Sequence, residues 1–174
     1  MGASRGQPFS PGRTRIELTL PENGVWFDLA IVGHPQKWSR TSATAQDGFL
    51  ALDRNDDGLI TDGTELFGSY TPQPPSASPN GFLALGVYDK SESGVNDDGF
   101  RDAQDKIYSK LRIWIDSNHN GVSEPSELHT LREIGIARID LQYQVGARTD
   151  QFGLLPGLLP RGLCFACPAS RIGT

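Results

Sequence analysis

At 174 residues and 37% hydrophobic content, with no apolar run long enough to span a membrane, the chain is sized for one globular domain with irregular ends, and its 20 Gly and 12 Pro make it loop-rich. The formal net charge of −5 is concentrated: 14 of the 21 acidic residues, against three of the 16 basic ones, fall in 53–65, 89–105 and 116–127. Carboxylates crowded in this way repel one another and a divalent cation relieves the repulsion, whereas no basic cluster interleaved with aromatics offers a nucleic-acid surface.

Residues 1–15, rich in Gly, Pro, Ser and Arg, read as a disordered lead-in without the hydrophobic core of a signal peptide. From Arg15 the chain alternates as R-I-E-L-T-L, turns at Pro21-Glu22-Asn23-Gly24 and resumes as V-W-F-D-L, which predicts two strands joined by a turn. Residues 33–46 read as a loop, with His34 a surface histidine. The pentapeptide G-F-L-A-L then occurs twice, at 48–52 and 81–85, each time before an acidic, glycine-bearing loop. A duplicated unit of entering helix and loop is expected from that repeat. Between the copies, 69–79 is too rich in proline for a helix or central strand.

Each loop has a ligand pattern. In the first, Asp53, Asn55 and Asp57 stand at positions one, three and five, Gly58 at six and Leu59 at seven; Glu65 comes one residue late, with Asp62 before it. This is nearly the spacing of an EF-hand loop, in which oxygen ligands on alternating residues converge on a calcium ion, glycine at six takes a positive φ and a final glutamate supplies two oxygens. In the second, counting back from Asp105 at twelve places Asn96 at three, Asp98 at five, Phe100 at seven and Asp102 at nine. Gly94 then falls at one, so Asp89 has to swing in as first ligand, and Arg101 at eight is unfavourable. The third has the full set: Asp116, Asn118, Asn120, the carbonyl of Val122, Glu124 and Glu127, with Gly121 at six. Ser123 holds its position eight, where a β-branched apolar residue ties paired loops together.

Residues 103–110 suit a helix, 111–115 a strand running into Asp116, 126–133 a short helix stopped by Gly135, and 137–143 a strand with Ala137, Ile139, Leu141 and Tyr143 on one face. The expected fold is therefore α+β, with calcium loops flanked by short helices and short antiparallel strands across 16–144. The apolar, proline-broken stretch 145–174 reads as an atypical, poorly packed tail. Its Cys164 and Cys167 form a C-x-x-C with no second pair, which leaves them without an assigned role.

The run D-G-F-L-A-L-D-R-N-D-D-G-L-I-T-D-G-T-E-L-F-G, the second N-G-F-L-A-L, L-R-I-W-I-D-S-N-H-N-G-V-S-E-P-S-E-L-H-T-L and I-G-I-A-R-I-D-L resemble the EF-hand-like calcium-binding segments of large secreted bacterial proteins. Haemolysin-type (RTX) proteins carry this arrangement, among them the iron-regulated kind with a calcium-dependent self-processing module. The resemblance spans about 24–143 and implies a secreted protein whose folding is driven by extracellular calcium, with the late Glu65 as the family's own placement. RTX nonapeptide repeats are absent, and self-processing in that family cleaves an Asp-Pro bond, which this chain lacks. Calcium ligation carries over and self-cleavage does not.

The expectation is thus a non-enzymatic calcium module of a larger secreted protein, its third loop at the weak end of affinity, about 10⁻⁴ to 10⁻³ M, because it has few charged ligands. Self-processing or hydrolytic chemistry is the less favoured reading, since the carboxylates lie at ligand spacing and no nucleophile elbow or zinc motif is present. The alternative is a calcium-dependent adhesive module that presents Trp26, Trp38 and Trp114 to a protein or glycan; exposure of tryptophan beside the loops favours it, and burial of all three a structural role.

Overall fold

The structure is a computed structural model, which describes residues 19–40, 48–89, 98–142 and 164–165. It is mainly β. Strands β1 (Val25–Phe27) and β2 (Gln36–Trp38) form an antiparallel hairpin; β3 (Gly48–Ala51), β5 (Arg112–Trp114), β6 (Leu128–Thr130) and β8 (Cys164–Phe165) form a sheet of order β6-β5-β3-β8; β4 (Phe100–Asp102) pairs with β7 (Arg138–Asp140). Among the described residues the only α-helix is α1, Gly81–Gly86.

The α+β expectation, with helices flanking the loops, is therefore corrected, and each missing helix has a local cause. In 103–110 the carboxylates of Asp102 and Asp105 accept the backbone N–H of Gln104 and Asp102, and the chain closes successive turns with bonds reaching three residues. Side chains that capture backbone donors in this way compete with helix formation. After the third loop a 3-10 turn, Pro125–Glu127, hands directly to β6, because Ile115 donates to the carbonyl of Glu127 and draws the chain alongside β5. Gly135 does take the expected positive φ, 77°, but it ends a turn and not a helix. At the start of the chain β1 pairs with β2, drawn from the segment expected to be a loop.

The repeated pentapeptide adopts two structures. Its first copy is β3, with Phe49, Leu50 and Ala51 opposite Trp114, Ile113 and Arg112. Its second is α1, because Asn80, at φ −158° and ψ 168°, caps it by accepting the N–H groups of Phe82 and Leu83. Identical local propensity is thus resolved by a cap in one copy and by strand partners in the other. Asn80→Ala is expected to cost about 1 kcal/mol of stability in urea denaturation, the usual worth of such a cap.

Period-two alternation splits the apolar residues between two cores. Leu50 and Ile113 join Leu52, Phe67, Ala84, Leu85, Leu111 and Leu131 in the larger, while their neighbours Ala51 and Trp114 face the smaller, with Phe27, Ile60 and Leu66. Phe27 meets Trp114 at 5.4 Å between ring centroids, and Trp38 donates its indole N–H to the carbonyl of Phe27 at 3.1 Å. The Phe27–Trp114 contact fastens the hairpin to the sheet, and the hairpin segment touches the first loop at Gly63 and the third at Gly121. Trp114 is buried and Trp38 half-buried, but Trp26 is 61% exposed.

Candidate metal centre

The first and third loops share one hydrogen-bond scheme. At position one, Asp53 accepts the N–H groups of Asp57 (3.2 Å) and Gly58 (2.8 Å), and Asp116 those of Asn120 (3.0 Å) and Gly121 (3.1 Å). At three, Asn55 and Asn118 each accept the N–H of position five at 3.0 Å. At five, Asp57 and Asn120 accept the N–H of position seven, Leu59 at 2.8 Å and Val122 at 2.6 Å. Gly58 and Gly121 have φ of 84° and 75°. The three leading oxygen side chains of each loop are thus wrapped inside the turn by its own N–H groups.

Both loops are closed by a buried glutamate. Glu65 accepts the N–H of Arg54, at position two, at 3.0 Å and the N–H of Thr61 at 2.8 Å; Glu127 accepts the N–H of Ser117, also at position two, at 2.8 Å, together with its hydroxyl and the N–H of Asn118. The late Glu65 therefore occupies the structural place of Glu127. Asp62 instead holds the N–H and hydroxyl of Thr64 and bridges to Asp28, so it serves its own turn.

Position eight joins the two loops. Ile60 donates its N–H to the hydroxyl of Ser123 at 2.6 Å, and that hydroxyl returns a bond to the carbonyl of Ile60 at 3.2 Å, both residues being buried. A serine hydroxyl thus makes the tie assigned to an apolar β-branched side chain. Ser123→Ala is expected to cost roughly 1–3 kcal/mol in urea denaturation, since it leaves the buried Ile60 N–H without an acceptor; Ser123→Thr, which keeps the hydroxyl, should lose less.

The two end carboxylates of the third loop are shifted in opposite directions. Burial pushes the Asp116 carboxyl above its ordinary range, against the N–H groups of Gly121 and Asn120 and a 3.6 Å contact with Arg40. Burial acts the same way on Glu127, but the Ser117 hydroxyl, the adjoining Glu124 carboxyl and the N–H groups of Asn118 and Ser117 outweigh it and hold Glu127 below the ordinary range. Glu124 accepts the Asn120 side-chain N–H at 2.6 Å through one oxygen, while its other oxygen is buried without a hydrogen-bond partner. A buried carboxylate oxygen lacking a donor is the kind of acceptor that a cation satisfies. Among the described residues no three His, Cys, Asp or Glu side chains converge as a metal-holding group. In an EF-type loop, though, amide oxygens and a main-chain carbonyl supply much of the ligand set.

The second loop is different. Asp98 accepts the N–H of Phe100 at 2.9 Å and Gly99 has φ 82°, as in the other loops. Asp105, however, binds the guanidinium of Arg101 at 2.8 Å, both side chains being buried. Asp89 closes the 3-10 turn Val87–Asp89. Asn96 lies outside the described residues, as do the 1–15 lead-in and most of the 145–174 tail.

A further stretch, 28–33, follows the same backbone path without the ligand residues. Asp28 accepts the N–H groups of Val32 and Gly33 at 2.8 Å each, the same four- and five-residue reach as Asp53 and Asp116. Positive φ recurs at the fourth residue, Ile31 (58°), Asp56 (57°) and His119 (65°), and at the sixth, where Gly33 has 83°. The signal is Asp followed five residues later by Gly; Ala30 and Val32 at positions three and five have no ligand oxygen in their side chains.

Among the described residues no helix is long and apolar enough to cross a membrane. The chain is 37% identical over 122 residues to the iron-regulated protein FrpA of Neisseria meningitidis serogroup C, a match covering 68% of this chain and 10% of that relative, so the chain corresponds to a small part of a much longer protein. Residues 12–155 match the SPM domain, and those residues include all three acidic loops and the hairpin. The chain belongs to the SPM domain family.

Proposed function

We propose that the chain is a calcium-binding structural module of a larger secreted protein, in which Asp53, Asn55, Asp57, the carbonyl of Leu59 and Glu65 hold one ion and Asp116, Asn118, Asn120, the carbonyl of Val122, Glu124 and Glu127 a second. The observation that carries this reading is the scheme common to the two loops, with their position-eight tie and the unpartnered Glu124 oxygen. An ion bound by the folded form alone stabilises it by RT ln(1 + [L]/Kd), about 2.7 kcal/mol per site at a hundredfold excess over Kd. Sites of low ligand charge stay empty at cytosolic calcium and fill outside the cell, which couples folding to export. Isothermal titration of the metal-stripped chain, with magnesium as control, tests the ligand sets: Asp53→Asn and Asp116→Asn should each remove one ion. Unchanged stoichiometry in both variants would contradict the assignment.

Exposed Trp26 favours a second reading, a calcium-stiffened docking surface. Its backbone carbonyl lies against Gly121 of the third loop, and Lys37 sits 5.9 Å from its ring centroid. If docking is the role, Trp26→Ala keeps calcium binding and melting temperature but reduces attachment to cells; equal attachment by variant and parent would dispose of it.

A further inference from the structure

The second loop carries a cation of its own. Arg101 is 0% exposed, and one terminal guanidinium nitrogen donates both to Asp105 Oδ1 at 2.8 Å and to the carbonyl of Phe100. With Gly99 at position six, Phe100 is position seven and Asp105 position twelve. Those are the places where an EF-type loop offers its main-chain carbonyl and its closing carboxylate to the ion. The remaining oxygen of Asp105 accepts the N–H of Asp102 at 2.8 Å, as Glu65 accepts that of Thr61, so the loop is closed in the same manner around a different charge.

We infer that the Arg101 guanidinium takes the place of calcium at Phe100 and Asp105, so that the chain takes two ions and the turn from Phe100 to Asp105 is held together at every calcium concentration. This rests on the calcium reading of the other two loops. A guanidinium stays protonated in any protein environment, and its fixed positive charge on these two oxygens repels a divalent ion from the same place. Arg40 does not play this part in the third loop: it reaches Asp116 at position one, at 3.6 Å, while Glu127 takes neutral donors from Ser117, Asn118 and Trp114. The position-eight residues divide accordingly. Ile60 and Ser123 couple two loops to each other, whereas Arg101 turns inward onto Phe100 and Asp105 of its own loop.

The experiment is a calcium titration and a melt of the full chain and its variants. Two ions are expected for the parent and for Asp105→Asn, with unchanged affinities, while Asp53→Asn and Asp116→Asn bind one. In EDTA, Arg101→Gln should melt lower by on the order of 5 °C or more, and Arg101→Lys, which keeps a cation, by less. If Arg101→Gln does not fold, the near-isosteric Asp105→Asn supplies the same reading, a lower melting temperature in EDTA. A third ion in the parent that Asp105→Asn removes would overturn the inference, and so would an Arg101→Gln or Asp105→Asn that melts with the parent in EDTA. Absence of calcium binding in every protein, with the EDTA melting losses intact, would strike the calcium reading and leave Arg101 as the loop's cation.

Discussion

Gly63→Ala is expected to lower the unfolding free energy by about 3 kcal/mol or more, the upper range for overpacking a rigid site. A Cβ built on Gly63 falls 2.0 Å from the carbonyl oxygen of Leu29 and 2.8 Å from its carbon, both backbone atoms, so no side-chain rotation relieves the clash. The contact is held from both sides: Gly63 donates its N–H to the carbonyl of Asp28 at 3.0 Å, and Asp28 pairs with Asp62 in a parallel bridge. Gly48 offers a contrast. Its Cβ would meet a side-chain atom, Ile113 Cγ2, at 2.3 Å, and backbone only at the Trp114 carbonyl oxygen, 3.3 Å away. Urea denaturation should therefore rank Gly63→Ala as the more damaging of the two, and the reverse order would show that the hairpin does not press on the first loop as described.

Glu127→Ala should act in two stages. In EDTA it removes the acceptor for the Ser117 N–H and hydroxyl, the Asn118 N–H and the Trp114 indole N–H, a loss of about 2–3 kcal/mol. In saturating calcium the deficit grows by the binding free energy of the third-loop ion, about 2.7 kcal/mol at a hundredfold excess over Kd. Glu127→Gln separates the stages, because an amide oxygen still accepts from Ser117 but is a poorer ligand for a hard cation. That variant should stay near the parent in EDTA and fall behind it in calcium. Parity with the parent in both conditions would remove Glu127 from the metal site.

Much of the candidate site was legible because loop chemistry is local. Asp, Asn and Gly at fixed spacing dictate which side chain accepts which nearby N–H, and the scheme around Asp53 and Asp116 follows from those residues alone. The fold class was not legible, because it turns on distant partners. The two copies of G-F-L-A-L have one propensity between them, and what makes one a strand is Ile113, more than 60 residues away, while what makes the other a helix is Asn80 beside it. Position eight misled for a related reason: a serine looked unsuited to pairing loops until its hydroxyl was seen to bond both the N–H and the carbonyl of Ile60. The Asp28 turn was not legible because its positions three and five carry no ligand oxygens, whereas the backbone path needs only the first aspartate and the sixth glycine. Its ligand-poor sequence also means that this path is not in itself a mark of metal binding, which is why the closing glutamates and the Glu124 oxygen matter more.

The most direct measurement is a calcium titration of the metal-stripped chain, followed by calorimetry and far-UV circular dichroism with magnesium as control. Binding of two calcium ions, with a gain of ordered structure and no comparable response to magnesium, is the expected result. No heat and no spectral change at millimolar calcium would contradict it, and would make the three loops acidic turns on a fold that stands without metal.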